Sequence, residues 1–456
     1  MSEERPSLRR AVVALQHRDF SLFYLSAMVA GIGSQLANTA NILQIYELTG
    51  SALQLGLTGL ARAIPTIALS LVGGVVADRV DRRKFIMIMQ TFNGCIALAL
   101  FGLTALELTQ VWHIYLAVFL NAASSALASP ARSALVPNLV PRHHLMNALA
   151  LNSTTWQASN VFGPALGGLS TAIFGLAVTY LWDGLAITLT VIALGLMRVG
   201  PIAARPRAGA WRSIVEGLAF VKQRSIILVL LVMDSGVVFF GQYKALMPIL
   251  VALLATGVVL DGGDSREFVR LWTGLLISAP AIGALIGATG VMSLGDVRYK
   301  GRYVYGAILA YSVLLFLLVV SPRLQETLLA GGVATGVAVG VSLALAWGAS
   351  CLLGFSDSVQ MLSRNTIIQS ITPDELRGRV SAFQSTLTNG VPHLGQASNG
   401  AIASILGFPT AIMIGAICCA ILVTTLFSSN KEVRSRDVGF VPEPEPEPKP
   451  AVGAAS

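Results

Sequence analysis

The sequence predicts an all-α integral membrane protein with 12 transmembrane helices in two pseudo-symmetric six-helix halves. Three observations predict it. First, 54% of the 456 residues are hydrophobic and only 12% are charged, against about 25% charged in a soluble domain. Second, apolar windows long enough for a bilayer-crossing helix of roughly 20 residues recur along the whole chain. Third, the second half of the chain repeats features of the first at one fixed offset.

The windows run over 20–46, 51–77, 85–106, 111–133, 146–174, 176–197, 226–256, 268–293, 301–320, 338–366, 378–406 and 408–429. The stretch "TLLAGGVATGVAVG" at 327–340 has two readings, an extension of the tenth span or a short outer segment. The opening "MSEERPSLRRAVVALQHRDF" lacks the short apolar core and cleavage site of a signal peptide. With the N-terminus inside, 26 of the 31 lysines and arginines fall on the cytoplasmic side, as the positive-inside rule expects. The net charge of +8 is therefore spread along one membrane face, and nucleic acid is not an expected partner. Cys95, Cys351, Cys418 and Cys419 lie in apolar runs without metal-ligand or disulfide spacing.

These windows divide the chain into a cytoplasmic N-terminal segment (1–19), an N-terminal half (20–197), a linker (198–225), a C-terminal half (226–429) and a cytoplasmic tail (430–456). In the linker, Trp211, Ile214, Val215, Leu218 and Val221 recur at helical spacing. That suits an interfacial helix or, equally, a solvated linker helix. The tail's "VPEPEPEPKP" predicts an extended, disordered segment.

A shift of 232 residues lays "RSALVPNLVP" (132–141) on "RNTIIQSITP" (364–373) and "GPALGG" (163–168) on "GQASNG" (395–400). Arg132 then matches Arg364, Pro141 matches Pro373, Gly163 matches Gly395 and Gly168 matches Gly400. Duplicated six-span halves are a transporter architecture, with the substrate path between the halves near the bilayer midplane.

Between spans two and three stands "GGVVADRVDRRKF". Gly74, Asp78, Arg79, Arg82 and Arg83 fall on G-x-x-x-D-R-x-x-R-R, and the loop resembles the signature loop of the major facilitator superfamily. In span five, Gly163, Pro164, Gly167 and Gly168 match the end of that superfamily's antiporter motif, with Ser159 in place of an earlier glycine. "SPARSALVPNLVPRHHLMNALALNSTTWQ" and "TPDELRGRVSAF" further resemble the branch that contains enterobactin exporters and macrolide efflux proteins. The resemblance implies the major facilitator fold and efflux by alternating access. It makes the charged loop a conformational latch at the inner face, and the span-five glycines with Pro164 an antiporter-like hinge. Two departures stand out. "FLNAASSALASP" in span four lacks the arginine of many proton-coupled drug exporters, so coupling by that residue is not expected. The second copy of the loop, "TGVMSLGDVRYKGR", keeps Asp296, Arg298, Lys300 and Arg302 without the spacing.

No constellation of an enzyme, metal or cofactor site stands out. Function in a carrier rests on ionisable residues inside spans, which are costly there and face a cavity or a partner. Arg62 lies 11 residues after Ser51, about 16 Å down a helix, near the middle of the membrane. It reads as a cavity cation for an anionic substrate or, alternatively, half of a fixed ion pair. Asp234, Asp357 and Asp183 are the proton-coupling candidates, each with a structural pair as its alternative. Asn38, Asn41, Gln44, Trp156, Gln157 and Asp357 complete the candidate cavity. His393 reads as a buried neutral histidine, while Lys244 and Glu47 read as snorkelling near the outer surface.

The expected function is export of a small amphipathic molecule, a siderophore or a drug, across the cytoplasmic membrane in exchange for protons. Both termini are expected to be cytoplasmic, and the protein to act as a monomer without a cofactor. A lipid or metabolite facilitator on the same fold, and a non-transporting sensor, are the other readings.

Overall fold

The computed structural model describes residues 13–77, 79–198, 219–260, 265–293 and 299–435, which are almost wholly helical. Asp78, the linker positions 199–218 with Trp211, Ile214, Val215 and Leu218, Asp296, Arg298 and the Pro–Glu repeat lie outside these residues. The first half comprises α1 (Arg18–Thr49), α2 (Ala52–Ala77), α3 (Arg82–Ala105), α4 (Val111–Leu135), α5 (Leu145–Ile173) and α6 (Gly175–Leu196). The second comprises α7a (Ser225–Phe240), α7b (Met247–Leu260), α8 (Ser265–Ser293), α9 (Lys300–Ala330), α10 (Thr335–Ile371), α11 (Asp374–Leu406) and α12 (Phe408–Ser429).

Local chemistry sets several boundaries. Gly50, with φ +60°, takes the left-handed cap that ends α1, its N–H donating to the Tyr46 carbonyl. Asp81 caps the start of α3 by accepting from the Lys84 N–H at 3.2 Å. The stretch 327–340 belongs to two helices: α9 runs on to Ala330, a turn follows with Gly332 at φ +79°, and α10 starts at Thr335. Span seven is not one helix. It breaks at Gly241–Tyr243, passes through a short 3₁₀ turn at Lys244–Leu246 and resumes as α7b.

Ten described helical segments are long and apolar enough to cross a membrane. The long helices α5 and α11 are not among them. Both carry amides, hydroxyls and glycines along their length, such as Asn152, Gln157 and Asn160 in α5 and Gln384, Gln396 and Asn399 in α11. Both pack against the opposite half, and Gln396 and Asn399 of α11 make hydrogen bonds to neighbouring helices.

The packing order is the same in each half. α1 packs on α5 and α6, α2 on α4, and α3 on α4 and α6. α7a likewise packs on α11 and α12, α8 on α10, and α9 on α10 and α12. Two seams join the halves, α2 with α11 and α5 with α8, and the same pseudo-two-fold relation exchanges them. Each seam closes on a pair of glycines. A Cβ on Gly56 would lie 2.7 Å from the Gly400 Cα, and one on Gly168 would lie 2.8 Å from the Gly274 Cα. Only a missing side chain lets the backbones approach so closely.

The apolar core is distributed unevenly with depth. On the face away from the described chain ends, one cluster runs through both halves and includes Leu43, Leu55, Ile114, Leu250, Leu276, Leu343 and Ala411. On the face that carries the chain ends the core splits in two. One part belongs to the first half, around Phe20, Ile86, Leu135 and Leu194. The other belongs to the second half, around Ile227, Leu230, Ile308, Ile367 and Val423. The halves are thus fused at the far face and separately packed at the termini face.

Candidate functional site

The break in span seven lies about midway along Ser225–Leu260, opposite the middles of α8 and α10. Unwound backbone needs partners for its carbonyls, and neighbouring helices supply them. Buried Asn399 of α11 donates through Nδ2 to the Phe240 carbonyl at 3.0 Å and the Gln242 carbonyl at 2.7 Å. The Tyr311 hydroxyl of α9 donates to the Gly241 carbonyl at 3.0 Å. Around the break is a pocket of about 70 Å³ lined by Val237, Gln242, Tyr243, Lys244, Pro280, Tyr311, Leu353 and Asp357. Lys244 is therefore an exposed residue of a mid-depth pocket, not a snorkelling residue at the outer surface.

A polar chain runs from this pocket along α10 toward the termini face. The Gln360 Nε2 donates to Asp357 Oδ1 at 3.4 Å and to Asp234 Oδ1 at 3.0 Å. Asp234 forms an ion pair with Arg364. Asn365 Oδ1 accepts from Arg364 Nη2 at 3.4 Å and from Gln384 Nε2 of α11 at 2.6 Å. Arg364 is only 1% exposed, although its place near the end of span ten counts it on the cytoplasmic face in the sequence. Asp234 and Arg364 thus tie α7a to α10.

In the first half, Arg62 of α2 donates from Nη2 to Asn38 Oδ1 of α1 at 2.7 Å. Asn41 and Gln44 are brought together elsewhere. The Tyr180 hydroxyl lies 2.9 Å from Asn41 Oδ1 and 2.8 Å from Gln44 Oε1, and the Gln44 Nε2 donates to Thr104 Oγ1 at 3.1 Å. All three are buried, so Asn41 and Gln44 sit in a knot inside the half and do not line a cavity wall with Asn38. On α5, Trp156 is exposed and Gln157 half-buried. Asp183 of α6 is buried beside Gly33 of α1, and its Oδ1 has no hydrogen-bond partner among the described residues. His393 is half-buried on α11, where its backbone meets Gly59 of α2.

The residues around the charged loop hold the first half together. Arg83 donates from Nε to the Leu194 carbonyl at 2.6 Å and from Nη2 to the Gly195 carbonyl at 2.5 Å, at the C-terminal end of α6. A cation is favourable there. Arg82 reaches the Ala134 carbonyl at 3.3 Å, Arg79 is exposed, and Gly74 faces open space. Nearby, His17 and His144 share a hydrogen bond of 3.0 Å. Partial burial, with His143 and His17 beside it, lowers the His144 pKa.

The span-five glycines divide their work. Gly163 and Gly167 press on α1 at Gln35 and Leu36, while Pro164 and Gly168 press on α8 at Gly274. At the far face, Glu47 of α1 accepts from Arg270 of α8 at 2.7 and 2.9 Å, and Arg270 also donates to the Thr171 carbonyl at 3.1 Å. Glu47 is therefore a clasp between the halves, which a snorkelling role would not have suggested.

The chain and its fold have relatives among known proteins. Residues 10–452 match the transmembrane secretion effector family. The MFS-type transporter YfiS of Bacillus subtilis (strain 168) is 24% identical over 414 residues, covering 90% of this chain and 92% of YfiS. The enterobactin exporter EntS of Escherichia coli O1:K1 / APEC is 25% identical over 390 residues, 86% of each chain. Among solved structures, the nucleoside transporter NupG superposes with a TM-score of 0.69 at 11% identity, over 91% of this chain and 99% of NupG. A bacterial homologue of the lysosomal transporter Spinster, in an inward-facing and unoccupied conformation, superposes with a TM-score of 0.67 at 12% identity, over 93% and 98%. The chain is a multi-pass membrane transporter of the major facilitator type and belongs to the transmembrane secretion effector family.

Proposed function

We propose that this transporter exports a small amphipathic molecule, of the siderophore or drug kind, across the cytoplasmic membrane by alternating access. Both termini are cytoplasmic in this reading, and the protein acts as a monomer. The observation that carries it is the division of the core: continuous between the halves at the far face and split between them at the termini face. With the termini inside, that describes an inward-open carrier. Arg62 with Asn38 and the pocket at the span-seven break flank its central depth. The similarity to an enterobactin exporter supports the direction and the size of the cargo. The charged loop acts as the latch of the opposite state, and the α5 glycines with Pro164 act as the hinge.

Proton exchange is the coupling in this reading. Asp183, with an oxygen lacking a partner, and Asp357, at the pocket wall, are better placed for it than Asp234, which Arg364 holds. The test is secretion of siderophore and tolerance of macrolides in cells with and without the protein. Reduced secretion or tolerance without it is the expected result, and no change in either removes the export reading. The Asp234–Arg364 pair also favours a second reading, a lipid or metabolite facilitator without proton coupling. Transport in reconstituted vesicles that ignores an imposed pH gradient would select it.

A further inference from the structure

We propose that the pocket at the break of span seven is an anion site, in which Lys244 holds the acidic group of an amphipathic organic acid. This rests on the export reading and narrows its substrate class. Four observations carry it.

The first is what the break has left over. Three of its carbonyls, those of Phe240, Gly241 and Gln242, are already taken by Asn399 and Tyr311. Those oxygens are satisfied, which disfavours a cation site built from unwound backbone. The second is Lys244 itself. Its side chain is exposed to the pocket and makes no direct hydrogen bond or ion pair with a described residue, although the Asp357 carboxylate in the same pocket attracts it. A mid-membrane ammonium is costly unless its charge is balanced, so the charge balance at this depth decides what the pocket takes.

The third is the balance of charge at this depth. Asp357 offsets one positive charge in the pocket, and Asp234 is neutralised by Arg364. The Lys244–Leu246 turn packs against α2, the helix that carries Arg62, whose partner is the neutral Asn38. Lys244 and Arg62 against Asp357 leave one positive charge in excess among these residues. The fourth is the wall. Val237, Val238 and Leu353 are apolar, and Tyr243 and Tyr311 offer rings. Ligand pockets run to about 300–1,000 Å³, so a pocket of about 70 Å³ takes the acidic end of such a molecule and leaves its body in the cleft between the halves.

The test uses the full chain in lipid nanodiscs and two probes with the same body, naphthalene-2-carboxylate and naphthalene-2-carboxamide, titrated calorimetrically. The wild type should bind the carboxylate about tenfold more tightly than the amide, a range that close charge pairs reach. Lys244→Met should bring the two affinities within about twofold and leave the amide's unchanged, while Lys244→Arg keeps the preference. Lys244→Gln replaces the methionine variant if that one fails to fold. Absence of a carboxylate preference in the wild type overturns the proposal. So does a preference that survives neutralisation of Lys244, or one abolished only by Arg62→Met. Binding is read here without transport. A wild type without carboxylate preference but with normal secretion therefore overturns only this assignment, and a wild-type preference that depends on Lys244 without any secretion overturns only the export reading.

Discussion

Arg132 and Arg364 occupy equivalent places in the two halves, yet their surroundings differ. Arg364 is fully buried and paired with Asp234 across from α7a. Arg132 is half-buried in a small cleft with Ser26, Ala27, Gln90 and Thr190, where no carboxylate meets it among the described residues. The difference extends beyond one pair. The second half holds the broken span, the polar chain through Gln360 and the charged pocket. The first half has continuous helices, a neutral knot around Tyr180 and one central cation resting on an asparagine. Duplication supplied two similar frames, and among the described residues the buried carboxylate–guanidinium pair and the charged pocket both lie in the second.

The sharpest way to break this comparison is Asp234→Ala. Removing one partner of a buried pair leaves a buried charge and costs about 3–5 kcal/mol. The purified variant should melt far below the wild type, and Asp234→Leu combined with Arg364→Met should recover most of the loss. An unchanged melting temperature in the single variant would mean that Arg364 is no more dependent on its partner than Arg132. Arg132→Met should cost less, within about 1 kcal/mol, because it strands no acid among the described residues. A drop as large as that of Asp234→Ala would erase the difference between the halves.

The smallest effect concerns what joins them. Glu47→Gln weakens a partly exposed pair worth about 0.2–1 kcal/mol. Spin labels on the far-face ends of α1 and α8 should show a modestly larger share of separated halves, with no change in melting temperature. A distance distribution identical to the wild type would remove Glu47 as a clasp.

Much of the architecture was legible in the sequence because it is periodic. Apolar windows locate most helices, and the offset of 232 pairs Gly168 with Gly400, which the structure places in equivalent seams. The charged features were harder to read, each for a physical reason. A window of about twenty residues averages over the short interruption at 241–246, so "FFGQYKAL" passes for continuous helix, although Gly241, Gln242 and Lys244 are the signal that could have marked the break. Counting charges by position placed Arg364 at the membrane face, whereas α10 continues two turns further to Ile371 and carries it inside. Glu47 and Arg270 are 223 residues apart, and nothing local in either segment announces the other. Asn38, Asn41 and Gln44 follow one another along α1, but only Tyr180 and Arg62, on other helices, decide which of them turns inward and which stays near the cleft.

Asn399 and Gly400 are consecutive. One side chain holds the carbonyls of the span-seven break, and the next residue's bare backbone is wedged against Gly56 of the opposite half. A slide along that seam therefore tugs directly on the strut under the pocket, with no intervening side chain to absorb it. The joint between the halves and the floor of the charged pocket form a single lever whose fulcrum is one peptide bond long.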